Sequence, residues 1–119
     1  MAPATRQVDP AWSDAVRWII YALIEAEELG LTQANLSLRL GQAHAQSEST
    51  QLRRLLGVEG PLGRQLGLPA NFAVLAVAAV GNYGEVWERN VGRGSSLGLE
   101  RGLNRLWLQG GLIFSPPFR

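Results

Sequence analysis

Apolar side chains recur at helical spacing near the start of the chain and predict a long amphipathic helix. Asp9 can accept hydrogen bonds from the free amides of a first turn, and Pro10 has no amide to leave unpaired, so the helix should begin there. Gly30 should end it just after Leu29. Glu27 falls on the apolar side, where its carboxylate is expected to reach solvent from the last turn. The apolar face comprises Trp12, Val16, Ile19, Ile20 and Leu23, and the polar face comprises Asp14, Arg17, Tyr21, Glu25 and Glu28. This pattern indicates a surface helix that docks on a larger body.

Shorter helices and turns are predicted for the next part of the chain. Thr32 is expected to cap a second helix that ends at Gly41, and the polar residues 41–50 read as a loop. Residues 51–56 follow as a helix of one or two turns. Closely spaced glycines and prolines then predict turns, at Gly57, Gly60, Pro61, Gly63, Gly67 and Pro69.

Residues 70–90 keep one apolar face across two glycines, so the period predicts one long helix. Gly81 and Gly84 each cost about 1 kcal/mol relative to alanine in a helix. Their spacing of three lets another backbone approach closely, which gives a packing reason for tolerating that cost. The apolar face comprises Phe72, Ala76, Ala79, Val80, Tyr83, Val86 and Trp87.

A last helix is predicted from Leu99, Leu103, Leu106 and Trp107, which recur at i, i+4, i+7 and i+8, and Gly110 should stop it. Residues 112–114 should be extended, and residues 115–119 should form a non-helical end. The fold class is therefore all-α, with residues 1–119 as one helical segment and a short extended tail. The expected packing anchors are Trp12, Trp18, Tyr83, Trp87 and Trp107.

Composition and charge narrow the function classes. The chain has 119 residues, of which 46% are hydrophobic, enough for one modest core. Eleven arginines oppose 10 acidic residues, so no strong basic field exists to attract nucleic acid or anionic lipid. Neither partner is expected.

Candidate chemistry is sparse. The absence of cysteine excludes disulfides and thiolate sites, and the single histidine, His44, reads as a solvated loop residue. Glu85 and Glu88, beside Arg89, fit a solvated, salt-bridged helix face better than an acid–base pair. The glycines of residues 57–67 match no phosphate-binding motif. We expect no enzyme activity and no catalytic, ligand-binding, cofactor or metal site.

Three arginines flank residues 52–68, which superficially resemble a helix-turn-helix reader of DNA. They are Arg53, Arg54 and Arg64. The second helix would be too short to fill a major groove, and Glu59 lies in the turn, so a nucleic-acid reader is a distant third hypothesis.

Neither end of the chain nor its interior predicts a targeting or membrane segment. The start lacks a basic region followed by an apolar one, so it does not read as a signal peptide. The longest apolar run, Phe72–Val80, is far too short to cross a bilayer. A chain translated as it stands would be expected in the cytoplasm.

Several strings, in order along the chain, carry a far more specific signal. They are Asp9-Pro-Ala-Trp-Ser-Asp-Ala-Val-Arg-Trp18, Ile24-Glu-Ala-Glu-Glu-Leu-Gly30, Leu55-Leu-Gly-Val-Glu-Gly60, Val80-Gly-Asn-Tyr-Gly-Glu-Val-Trp-Glu-Arg-Asn-Val-Gly92, Arg101-Gly-Leu-Asn-Arg-Leu-Trp107 and Gly110-Gly-Leu-Ile-Phe-Ser-Pro-Pro-Phe-Arg119. Together they resemble the carboxy-terminal region of bacterial periplasmic solute-binding proteins of general L-amino-acid (polar amino acid) ABC transporters.

This resemblance implies a part of a larger protein. Family members are two-lobed α/β proteins (type II-like) that close on an amino acid and present it to a membrane permease, and they are much longer than this chain. The chain corresponds to their last third. The family residues that grip the ligand have no counterpart here, so none is carried over. The resemblance implies that the partners are the remaining lobes and, through them, an ABC permease, with the L-amino acid bound only by the full-length protein in the periplasm.

The helix faces and the resemblance together predict exposed apolar surface. The faces with Trp12 and with Trp87 are suited to docking on a sheet, and the family supplies a sheet that this chain does not contain. Such surface would recruit a partner or cause self-association. The alternative hypothesis is a stand-alone helical interaction module that has lost ligand binding.

Overall fold

The computed structural model describes residues 2–6 and 8–119, and within these ranges it contains helices and turns but no strand. The start of the chain, where no signal peptide is predicted, includes Met1 and Gln7, which lie outside the described residues. The helices are α1 (Pro10–Glu28), α2 (Leu36–His44), α3 (Thr50–Leu55), α4 (Leu62–Gln65), α5 (Phe72–Val80) and α6 (Tyr83–Asn90), followed by two 3-10 turns, Gly102–Asn104 and Trp107–Gln109. The all-α prediction is confirmed. None of the described helices is long and apolar enough to span a membrane.

Helix α1 is the central element, and its predicted bounds are correct. The Asp9 carboxylate accepts hydrogen bonds from the amides of Ala11 (3.0 Å) and Trp12 (3.3 Å), which satisfies the first turn. The chain leaves the helix through Gly30, whose φ of 69° favours glycine. Helix α1 packs against α5, α6 and α3, while α2 packs against α3 and α5.

The predicted faces of α1 need correction at two positions. Glu25, assigned to the solvent face, is only 1% exposed, because α3 packs on that side and contributes a hydrogen-bond partner. Trp12, assigned to the buried face, is 61% exposed because it lies in the first turn, where α1 has little to pack against.

Helix α2 is shifted toward the carboxyl terminus relative to the prediction. Thr32 does not cap it: the Thr32 hydroxyl accepts from the amide of Asn35, and the Asn35 side chain accepts from the amide of Thr32, which forms a turn before the helix. Gly41 does not end it either, because its φ is not positive. The helix continues to His44, which is an exposed helical residue instead of a loop residue.

The long helix predicted for residues 70–90 is two helices. Gly81 adopts a φ of 79° and ends α5. Asn82 then caps α6, with its side chain accepting from the amide of Glu85 (3.0 Å) and the Glu85 carboxylate accepting from the amide of Asn82 (2.7 Å). This capping box satisfies amides that a continuous helix would bond internally, so the break is stable.

The last predicted helix is also wrong. Gly98 and Gly102 adopt positive φ values of 57° and 53°, and Arg105 is extended, so the apolar residues from Leu99 onward lie in turns. Leu106 and Ile113 form an isolated parallel bridge, and residues 115–119 are not helical, as expected.

Three of the five expected aromatic anchors pack as predicted. Tyr83 and Trp87 are buried, and Trp18 is half-buried. Phe118 of the tail is buried between Trp18 (ring centroids 5.4 Å apart, edge to face) and Phe72 (6.1 Å, stacked). Trp12 and Trp107 are exposed, so they do not anchor the core of the described residues.

Candidate functional site

A buried ion pair joins the end of α1 to the turns that follow α6. Arg101 donates from both terminal nitrogens to the Glu27 carboxylate, with Nη2 3.1 Å from Oε2, and each side chain is 13% exposed. The Arg101 guanidinium also donates to the carbonyl of Asn104 from Nε (3.3 Å) and Nη2 (3.0 Å). The expected solvent-directed Glu27 is therefore the anchor for residue 101 and its neighbours.

Helix α6 closes over this ion pair. The Arg101 guanidinium lies 5.5 Å from the centre of the Tyr83 ring, within cation–π range. A Cβ at Gly84 would lie 2.7 Å from Glu27 Oε1 and 3.1 Å from Arg101 Nη1. Gly84 is thus a close-approach position, as predicted, although side chains and not a backbone approach it. The contact at Gly81 is local instead: its Cβ would meet the carboxylate of Glu85, four residues further along, at 2.5 Å, so no other backbone approaches closely there.

The Tyr83 phenol does not supply acid–base chemistry at neutral pH. Burial raises the pKa of Tyr83 above its usual value, Arg101 opposes that shift, and Glu27 adds to it. The hydroxyl is buried and makes no hydrogen bond within the described residues. The cluster therefore has a structural role: it holds residues 101–104 against α1 and α6.

A second carboxylate cluster lies on the other side of α1. Gln51 of α3 donates to Glu25 Oε1 at 2.6 Å, and the backbone amide of Ser115 in the tail donates to Glu28 Oε1 at 3.4 Å. Burial raises the pKa of Glu25, which the hydrogen bond from Gln51 opposes and Glu28 reinforces. Burial also raises the pKa of Glu28, partly offset by Ser115 and by a hydrogen bond from Glu25.

The pair Glu85 and Glu88 does not form the predicted salt-bridged face. Glu85 accepts from the amide of Gln33 (3.2 Å) in addition to its capping role, and Glu88 accepts from the amide of Arg93 (3.0 Å). Arg89 donates to the carbonyl of Val80. Both carboxylates therefore bond to backbone amides, and the Asn82-x-x-Glu85 spacing is the sequence signal that could have revealed the break before α6.

Two of the three arginines considered for nucleic-acid binding, Arg53 and Arg54, are paired with a carboxylate, and Arg64 is exposed. Arg53 donates to Glu59 at 2.9 Å, and Arg54 lies 3.7 Å from the same carboxylate. Across residues 2–6 and 8–119, no group of three or more histidine, cysteine, aspartate or glutamate side chains is placed to hold a metal ion.

One groove, with a volume of about 450 Å³, lies between residues 2–5 and α1. Its lining is mainly apolar, with Val16, Ile20 and Ile113 among the residues that contribute. Arg17 is at its edge and is paired with Asp14 at 3.4 Å. The groove offers apolar contact but no buried pair of opposite charges that would recognise a zwitterion.

The largest concentration of exposed apolar side chains follows α6. Seven large apolar residues between positions 97 and 114 are each 50–69% exposed, and we call them the 97–114 face: Leu97, Leu99, Leu103, Trp107, Leu108, Leu112 and Phe114. Helix α5 adds exposed Leu75, and its composition is apolar on every side. A helix that is apolar all round is typical of a buried position. Exposed apolar side chains concentrated in one segment are typical of a contact with another body.

Curated relatives match the chain over its entire length. The chain is 50% identical to the glutamate/glutamine/aspartate/asparagine-binding protein BztA of Rhodobacter capsulatus over 119 residues, which is 34% of that protein. It is 46% identical to the general L-amino acid-binding periplasmic protein AapJ of Rhizobium johnstonii, again over 34% of the relative. The putative amino-acid ABC transporter-binding protein YhdW of Escherichia coli K12 is 38% identical over the same share.

A solved structure matches the fold. It is the ABC transporter periplasmic binding protein from Brucella ovis with glutathione bound, with a TM-score of 0.86 and 44% identity over 97% of this chain and 35% of that one. No protein-family model matches the chain.

These similarities confirm the resemblance predicted from the sequence strings. The chain spans about a third of the length of the relatives it matches and corresponds to their carboxy-terminal region. The relatives are solute-binding proteins of transport systems and not enzymes.

Proposed function

We propose that this chain acts as the carboxy-terminal part of a periplasmic amino-acid-binding protein that serves an ABC transporter for L-amino acid uptake. The observation that carries the proposal is that the whole chain matches about a third of the length of such proteins, at up to 50% identity. In this proposal the chain reaches the permease only through the rest of the binding protein.

The 97–114 face is the proposed contact with that remainder. Its side chains are exposed although the Arg101–Glu27 ion pair holds the segment firmly against α1 and α6. Exposure therefore does not come from a loosely attached segment. Burying a leucine side chain fully is worth about 1.5–3 kcal/mol, so a body that covers several of these residues would be held strongly.

The amino-acid site is proposed to lie outside these residues. An α-amino acid needs a cation for its carboxylate and an anion for its ammonium group. The half-buried arginines of the described chain each already have a carboxylate partner: Arg39 with Glu48, Arg53 with Glu59 and Arg101 with Glu27. They support the fold and are not available as a ligand clamp.

A chimera tests the docking proposal. In the chimera, this chain replaces the matching third of BztA. L-Glutamate binding and thermal unfolding are measured for the chimera and for a triple variant that carries Leu103→Gln, Trp107→Gln and Leu112→Gln. We expect the unsubstituted chimera to bind L-glutamate. The triple variant should unfold at lower temperature in the chimera, yet leave the isolated chain unchanged, because the three residues are exposed there.

Leu38→Gln is the matched control, since Leu38 is 65% exposed on α2, outside the 97–114 face. Equal effects of the triple variant on the chimera and on the isolated chain would contradict docking through this face. The isolated chain is measured at low micromolar concentration, because the same face would favour self-association.

Titration calorimetry of the isolated chain tests where the ligand site lies. L-Glutamate, L-glutamine, L-aspartate and L-asparagine should release no binding heat, while the chimera should bind L-glutamate. Micromolar binding by the isolated chain would refute the proposal that the site lies elsewhere.

A further inference from the structure

The extended segment at residues 112–115 has one backbone edge bound to the chain and one edge open. The Ile113 amide donates to the carbonyl of Arg105 (3.1 Å), and the Ile113 carbonyl accepts from the amide of Trp107 (2.8 Å). Neighbouring residues of an extended chain turn their backbone groups to opposite edges, so the amide and carbonyl of Phe114 face away from this bridge. Within the part of the chain that the structure describes, neither group of Phe114 makes a hydrogen bond.

This open edge, which we call the Phe114 edge, is held in place by the residues that follow it. The Ser115 amide donates to Glu28 at 3.4 Å, and Phe118 is buried in the core. Pro116 and Pro117 favour extended backbone at the residue that precedes each of them. The edge is therefore preformed, and a partner that paired with it would not have to order it first.

The side chains beside the Phe114 edge suit an extended partner. Leu112 and Phe114 are two positions apart and both exposed, so they lie on one face of the extended chain, while Ile113 between them packs against the core. A partner strand would therefore find backbone donors and acceptors at the edge and apolar side chains next to them. A helix bonds its own backbone internally and could satisfy only the side chains, so the edge favours a strand.

We propose that the Phe114 edge pairs with an extended segment of the rest of the binding protein, which adds a strand beside residues 112–115. This inference rests on the proposed function and specifies the partner at the 97–114 face. That segment offers a carbonyl to the Phe114 amide, an amide to the Phe114 carbonyl, and apolar side chains to Leu112 and Phe114. The chain matches 34% of BztA and of AapJ, so about two thirds of each relative is available to supply such a segment.

Hydrogen exchange resolved to single amides by mass spectrometry tests the pairing in the BztA chimera and in the isolated chain, both at low micromolar concentration. We expect the Phe114 amide to exchange roughly tenfold or more slower in the chimera, because a bonded amide exchanges only when its pair opens. The Ile113 amide is the internal control, since it donates to Arg105 within the chain and should be protected in both proteins. Equally fast exchange of the Phe114 amide in both proteins would overturn the proposal.

The variants Phe114→Pro and Phe114→Ala give a second measurement. Both remove the aromatic side chain, but only proline removes the amide as well. In the chimera, Phe114→Pro should lower the temperature of thermal unfolding by about 2–4 °C more than Phe114→Ala. In the isolated chain the two variants should differ less, because the amide has no partner there. The same difference between proline and alanine in both proteins would contradict the pairing.

L-Glutamate binding by the same chimera separates this inference from the proposed function. A chimera that binds L-glutamate while its Phe114 amide stays unprotected would overturn the strand addition alone. A chimera that does not bind L-glutamate would contradict the proposed function itself. Protection of Phe114 that appears only in the isolated chain and rises with its concentration would identify a second copy as the partner, and it would also overturn the proposal.

Discussion

Gly84→Ala and Gly41→Ala make the same chemical change in two helices and should have opposite effects on stability. Gly41 lies inside α2, its φ is not positive, and a Cβ there would meet nothing within 4 Å. Alanine at this position should stabilise the chain by about 0.5–1 kcal/mol, because it loses less backbone freedom on folding.

At Gly84 the new methyl group would lie 2.7 Å from Glu27 Oε1 and 3.0 Å from Glu27 Cδ. Glu27 cannot move aside freely, because both of its oxygens are bound by Arg101, which is held by the Asn104 carbonyl as well. Overpacking of this kind costs about 1–3 kcal/mol. After the small gain in helix propensity, we expect a net destabilisation of about 1–2 kcal/mol.

Urea unfolding at neutral pH, followed by far-ultraviolet circular dichroism, measures the effect of both substitutions on stability. If the free energy of unfolding falls with urea concentration at the same slope in both variants and in wild type, only stability has changed. A Glu27→Ala background adds a decisive comparison. Without the obstructing carboxylate, the penalty of Gly84→Ala should fall to roughly zero or reverse sign. A stabilising Gly84→Ala, or an equal penalty in both backgrounds, would refute the role given to the Glu27 carboxylate.

Three further predictions follow from other contacts. Asn82→Ala removes the cap of α6 and the hydrogen bond from Asn82 Nδ2 to the carbonyl of Leu31 (2.8 Å). Urea unfolding should show that the free energy of unfolding falls by about 1–3 kcal/mol. A decrease below about 0.5 kcal/mol would contradict this role of Asn82. Because the pKa of Glu25 is raised in the folded chain, its own contribution to the free energy of unfolding should be greatest below the ordinary value of 4.5 and should fall as the pH rises through the raised pKa. Urea unfolding at several pH values should therefore show that Glu25→Gln gains stability relative to wild type as the pH rises toward 8. Phe118→Ala should destabilise the chain by about 3 kcal/mol and change the fluorescence of Trp18, and an unchanged unfolding midpoint would show that the tail is not packed as described.

Local signals were sufficient for the elements whose ends are set by their own residues. Asp9 and Pro10 start α1 and Gly30 ends it, so its bounds were predicted correctly. Ser49 caps α3 through the amide of Leu52, within a residue of the predicted start. These caps act within one turn, and therefore their effect is visible in sequence.

Periodicity failed where backbone conformation interrupts a regular apolar pattern. The residues of α5 and α6 share a helical period, but Gly81 at positive φ and the Asn82–Glu85 capping box separate them. The apolar residues from Leu99 to Trp107 also recur at helical spacing, although Gly102 at positive φ places them in turns. In both cases a glycine could adopt either conformation, and at Gly81 the capping box that follows it favours the non-helical one.

The polar clusters depended on tertiary structure. Glu27 and Arg101 are 74 positions apart, and nothing near either residue in the sequence indicates the other. Glu25 was assigned to the solvent face from a wheel that treats α1 as packed on one side only, whereas α3 packs on that side and Gln51 donates to Glu25. A helical period indicates the most apolar face of a helix. It does not indicate that a second element packs on another face.

By itself, the sequence determined the helical class, the bounds of α1 and the similarity to the carboxy-terminal third of amino-acid-binding proteins, because caps, composition and matching strings are local properties of the chain. Only the tertiary structure decided that Glu25 is buried, that Arg101 joins α1 to the later turns, and that the 97–114 face is exposed. Those properties depend on which surfaces meet. Burial changes both the pKa of an acid and the free energy that an apolar side chain contributes to stability.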